Sequence, residues 1–105
     1  MPIIRKRDTQ SFQIPGLTVR RFASPQGGSK ETSVWQISLA AGAPGLPHTV
    51  TREEIFVATA GAAQATIEGK TQALGPGDVL IVPAGVEFTL ANRADVPFEA
   101  FVAFP

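Results

Sequence analysis

Apolar and polar residues alternate over most of this chain, and no apolar segment of ten or more residues repeats with the 3.6 period of a helix. The clearest alternation spans Ser33 to Ala40. Trp35, Ile37 and Leu39 take one face, expected to be the core side, and Val34, Gln36 and Ser38 take the other. Leu17 to Phe22 alternates in the same way after the turn signal Ile14-Pro15-Gly16. Glu54 to Ala60 and Ala62 to Ile67 read as two further strands. Glu68-Gly69 links the second of these to a short strand around Gln72-Ala73-Leu74 through a two-residue hairpin. Val79-Leu80-Ile81-Val82 is apolar on both faces and is expected to be a buried strand, stopped by Pro83-Ala84-Gly85. Val86 to Asn92 and Phe98 to Phe104 complete the series. Ile3-Ile4 is expected to start an edge strand, and Ser24 to Ser29 to form a loop.

Ten glycines and nine prolines punctuate these runs, and no linker divides them. The expected architecture is all-β: one domain over residues 1–105, with about eight to ten short antiparallel strands closing into a jelly-roll β-barrel. The last strand is apolar on both faces, with Phe98, Ala100, Val102 and Phe104 on one side and Phe101 and Ala103 on the other. A second apolar face must be covered, so a homodimer is expected through this face or through the N-terminal strands.

Nine basic and nine acidic residues cancel, which removes any global electrostatic reason to expect nucleic acid or a membrane as partner. One local excess of positive charge, Arg5, Lys6, Arg7, Arg20 and Arg21 against Asp8, reads as a solvated, charge-blunted edge strand. Cysteine is absent, which excludes disulfides, thiolate chemistry and sulfur-ligated zinc. No basic segment leads into an apolar stretch and no run reaches membrane-spanning length, so a cytoplasmic location is expected.

Candidate chemistry gathers between Gly42 and Gly61, which hold the single histidine, His48, and the carboxylate Glu54 at the head of an apolar strand. The order Gly42, His48, Val50, Glu54, Gly61 follows the spacing G-x5-H-x-H-x3-E-x6-G, with valine in place of the second histidine. A second set, Gly77, Pro83, Gly85, Phe88, Asn92, follows G-x5-P-x-G-x2-H-x3-N, with phenylalanine in place of the histidine. In these two motifs, at 42–61 and 77–92, the chain resembles the cupin superfamily of double-stranded β-helix barrels. The resemblance implies that positions 48, 50, 54 and 88 point into the barrel near its mouth, where many cupins hold a divalent metal. Strand alternation agrees, since His48 shares a face with Val50, Glu54 with Phe56, and Phe88 with Val86 and Leu90.

Val50 and Phe88 leave one imidazole and one carboxylate where a catalytic metal usually takes three protein ligands. Gln36 and Gln64 are replacement ligands only if their faces turn inward. The expected state is a degenerate metal site without a cofactor. The alternative is a weakly held divalent ion (Zn, Fe, Ni or Mn) on His48 and Glu54. The expected function is the binding of a small apolar or aromatic molecule in a barrel lined by Trp35, Val50, Phe56, Phe88 and Leu90. An enzymatic alternative, in the manner of an isomerase, lyase or dioxygenase, uses His48 and Glu54 as an acid–base pair or as weak metal ligands. The competing structural reading is that the aromatics simply fill a small barrel.

Overall fold

The alternation of Ser33 to Ala40 becomes a strand whose Ile37 and Leu39 are buried and whose Trp35 packs against the same core, in the computed structural model, which describes residues 3–105. Ten strands form among these residues: β1 Gln10–Ile14, β2 Leu17–Ala23, β3 Ser33–Leu39, β4 His48–Thr49, β5 Glu54–Ala60, β6 Ala63–Ile67, β7 Lys70–Leu74, β8 Val79–Val82, β9 Glu87–Ala91 and β10 Phe98–Phe104. They make a six-stranded sheet in the order β1-β2-β3-β10-β5-β8 and a four-stranded sheet in the order β4-β9-β6-β7. Every strand pairing among the described residues is antiparallel, as a jelly roll requires. No helix among the described residues is long and apolar enough to cross a membrane.

The core lies between the sheets. Ala58, Phe98, Ala100 and Val102 face it from the large sheet, and Ala63, Leu74 and Phe88 from the small one. A side chain as fully buried as Phe98 contributes about 2–3 kcal/mol relative to exposure, so this shared interior holds the two sheets together.

Turn chemistry fixes the register. Glu68 (φ 52°) and Gly69 (φ 78°) join β6 to β7 as the expected two-residue hairpin, with both central residues at positive φ. Gly61 (φ 73°) ends β5 where a side chain has no room, because a Cβ there would overlap the Pro97 carbonyl.

Four expectations require correction. Ile3-Ile4 does not open a strand; a short 3-10 turn, Lys6–Asp8, follows it, and β1 occupies Gln10–Ile14 instead. Ser24 to Ser29 is not wholly loop, since Pro25–Gly27 makes one turn of 3-10 helix with Pro at its start. β8 is not buried on both faces: it is the edge of the large sheet, and Val79 and Ile81 stand 54% and 55% exposed on its outer side. The N-terminal cations do not share one edge strand. Lys6 and Arg7 lie in the 3-10 turn, whereas Arg20 and Arg21 lie in β2, one strand in from the edge.

Candidate functional site

Short pairings at the barrel mouth bring the two motifs together. His48 stands directly opposite Phe88 across β4 and β9, and the neighbouring Val50 carbonyl accepts a 2.7 Å hydrogen bond from the Gly85 N–H. Glu54 opens β5 opposite the fully buried Val82 and shares its inward face with Phe56 and Ala58. The rings then run in series. His48 meets Phe88 edge-on at 5.7 Å between centroids, and Phe88 meets Phe56 at 5.5 Å.

Burial divides this group into a rim and a floor. His48 is exposed and Glu54 half-buried, while Val50, Phe56 and Phe88 are at most 6% exposed. Leu46, two residues before His48, is 82% exposed beside it in sequence. Burial pushes the Glu54 carboxyl above the ordinary carboxylate range, and the nearby charge of His48 partly offsets that. No hydrogen bond joins His48 to Glu54 among the described residues, so the two interact through space and not as a bonded pair.

Asn92 sets the approach to this rim. Its backbone N–H donates to the Ala43 carbonyl at 2.8 Å, which anchors the Gly/Pro-rich segment leading to His48. Its side chain is fully buried. Nδ2 donates to the Leu39 carbonyl at 3.1 Å and to the Val96 carbonyl at 2.8 Å, and Oδ1 accepts from the Ala94 N–H at 2.9 Å. One amide thereby ties the end of β3 to the turn before β10.

Trp35 and Leu90 lie farther from His48 than Phe88 does. Val102 separates Trp35 from Phe56 across β10, and Trp35 packs edge-on against Phe12 at 5.9 Å and Phe104 at 4.9 Å. Leu90 is half-buried opposite Ala65. Gln36 and Gln64 both face outward. Gln36 pairs with the outward Phe101, and Gln64 Oε1 accepts from Arg93 Nε at 3.0 Å. Neither can complete a ligand set in the barrel.

Among the described residues no three of His, Cys, Asp and Glu gather. A donor set of one imidazole and one half-buried carboxyl, with Val50 and Phe88 at the other two positions, does not fit a resident transition metal. Arg21 is a residue that strand reading missed. Leu17, Val19 and Arg21 share a phase, which puts Arg21 on the core face, where its guanidinium stacks over Phe12 at 4.7 Å and Trp35 at 5.5 Å.

Residues 35–104 match the family described as Cupin domain, a span that includes both motifs. The chain is a cupin. Solved structures agree at the level of the fold. This cupin superposes on the polyketide cyclase RemF from Streptomyces resistomycificus with a TM-score of 0.87 at 15% identity, covering 98% of this chain and 78% of that one. A predicted oxalate decarboxylase from Thermotoga maritima gives 0.83 at 17% identity, covering 97% and 96%. A salicylate 1,2-dioxygenase from Pseudoaminobacter salicylatoxidans, in complex with gentisate, gives 0.75 at 25% identity, covering 86% of this chain and 25% of that longer one. No curated protein matches the chain by sequence.

Proposed function

We propose that this cupin binds a small apolar or aromatic molecule at the barrel mouth, without a resident metal. The observation that carries the reading is the place of Phe88. At the position of a motif histidine it packs between His48 and Phe56, and so makes an apolar, aromatic floor beneath a rim of one imidazole and one carboxyl. An aromatic body against Phe88 and Leu46, with a polar group turned toward His48 and Glu54, satisfies both surfaces. Gentisate, held by the dioxygenase that shares the fold, belongs to this class of molecule. The interior beneath the floor is filled by Val82 and Phe98, so the ligand rests on the mouth and does not enter the core.

A thermal-shift and NMR screen of aromatic acids, keto acids and sugars tests this, with zinc, iron, nickel and manganese as separate arms. Aromatic compounds are expected to shift His48 and Phe88 signals saturably, and His48→Ala to weaken them. Stoichiometric metal uptake abolished by His48→Ala, or no response to any organic compound, sinks the reading.

A second reading, proton transfer to a small carbonyl substrate, is favoured by one observation: the raised Glu54 carboxyl lies within electrostatic reach of His48. In that role Glu54 would hold a proton at pH values where an ordinary carboxyl has lost it. The same shift has a consequence for stability. The folded chain holds the Glu54 proton to a higher pH than the unfolded chain does. Stability therefore falls as pH rises from the ordinary carboxylate value through the raised one, and levels off above it. Glu54→Gln is expected to abolish that decline and to be relatively more stable than the wild type at neutral pH. Parallel melting-temperature profiles from pH 3.5 to 8 for the two proteins would contradict it.

The same proposal extends to a homodimer through the outer face of the large sheet. Val57, Val79, Ile81 and Phe101 are all exposed there, on the neighbouring strands β5, β8 and β10. Phe101→Asp is expected to halve the mass seen by light scattering while leaving the fold intact by circular dichroism; an unchanged dimer mass would move the interface elsewhere.

A further inference from the structure

Arg21 carries a charge that the barrel mouth does not use. It sits at a core-facing position opposite Trp35, where Leu17 and Val19 set an apolar precedent along the same strand. Among the described residues no carboxylate lies within ion-pair distance of it, and its guanidinium rests on the rings of Phe12 and Trp35. Arg20, beside it, instead spends a donor on Thr9 Oγ1 at 2.9 Å.

The β2–β3 register shifts between Arg21 and Ala23, which leaves Phe22 as the extra residue of a bulge. A bulge re-aims side chains, and here both Arg21 and Phe22 line a half-open cleft of about 450 Å³ beneath the N-terminal segment. Ile4 and Arg5 also line it, and Gln10 and Asp8 add polar groups to the lining. A volume of this size suits a small molecule. Neither His48 nor Glu54 nor Phe88 borders the cleft, so it is separate from the mouth.

We propose that this cleft binds small organic monocarboxylates, with Arg21 and Arg5 taking the carboxylate and Ile4 and Phe22 the apolar body. Guanidinium forks match a carboxylate in two parallel hydrogen bonds, and stacking on Phe12 and Trp35 pre-orients the Arg21 fork. Two arginines against Asp8 leave one net positive charge, which balances a monoanion and leaves a dianion over-charged. The rival account is that Arg21 is an inward charge that discourages edge-to-edge association near β1. It needs no ligand.

Hexanoate separates the two accounts. Binding is followed by NMR of the isoleucine methyls and backbone amides at constant ionic strength, with butylammonium as the opposite-charge probe. Hexanoate is expected to shift Ile4 and Phe22 saturably, butylammonium to give nothing, and Arg21→Met and Arg5→Met each to weaken binding about tenfold or more. Arg7→Met, an exposed residue that does not line the cleft, and His48→Ala are expected to bind as the wild type does. If Arg21→Met fails to fold, Arg5→Met carries the test, because Arg5 is exposed and outside the strands. Absence of saturation in the wild type, undiminished binding in Arg5→Met, or shifts centred on His48 and Phe88 would each overturn the proposal. Only the last of these would leave the mouth reading standing with a carboxylate as its ligand.

Discussion

Asn92→Ala is expected to destabilise the fold by about 3 kcal/mol, the cost of losing three hydrogen bonds, one buried and two part-buried, that one amide now makes to the backbone. The Leu39 and Val96 carbonyls and the Ala94 N–H would each lose a hydrogen bond at a site with no solvent access to Asn92. For a domain of this size that corresponds to a fall in melting temperature of about 15 °C. Asn92→Asp sharpens the test. It keeps the acceptor for Ala94 but removes the donor, and sets a carboxylate against two carbonyl oxygens. Its loss is expected to exceed that of alanine above the carboxylate pKa and to ease in acid. A melting temperature within a few degrees of the wild type in Asn92→Ala would mean that the amide is not the tie it resembles.

Gly61→Ala is expected to cost about as much for a different reason. The backbone at Gly61 is left-handed, which by itself costs an alanine about 1 kcal/mol. The added methyl would also overlap the Pro97 carbonyl and crowd the Phe98 backbone, just where β10 begins. Overpacking of this kind adds about 1–3 kcal/mol. Urea unfolding measures the sum, and a change below about 1 kcal/mol would contradict the crowding. Gly77 provides the comparison: its backbone is also left-handed, but an added Cβ meets nothing, so Gly77→Ala is expected to show the backbone cost alone.

Both residues belong to motifs that were visible in the sequence, yet only their spacing was legible there. Spacing and alternation placed β3, the β6–β7 hairpin and the inward register of His48, Glu54 and Phe88, because a period of two is a local property. What a side chain does once it is inside is not local. Asn92 reads in sequence as a turn residue, and its work as a tie between Leu39 and Val96 appears only when β3 and the turn before β10 are brought side by side.

β8 departs from the sequence expectation for a related reason. Four apolar residues in a row look the same whether a sheet or a second molecule covers the outer face, and β8 proved to be an edge. β1 escaped notice because its faces are mostly polar and exposed, with only Phe12 turned to the core. Arg21 was hidden by its own residue type. An arginine next to another arginine reads as surface, and the phase it shares with Val19 was the signal that placed it inside.

The position of β10 bears on how this chain folds. It follows every other strand in sequence, yet it lies in the middle of the large sheet, hydrogen-bonded to β3 on one side and β5 on the other. During synthesis β3 and β5 therefore emerge with their inner edges unpaired and stay so until β10 is released. Loop closure over such separations is slow, and the waiting edges are templates for another chain. The nascent chain is thus open to edge pairing until β10 emerges, and a chaperone that shields strand edges would act on it before then.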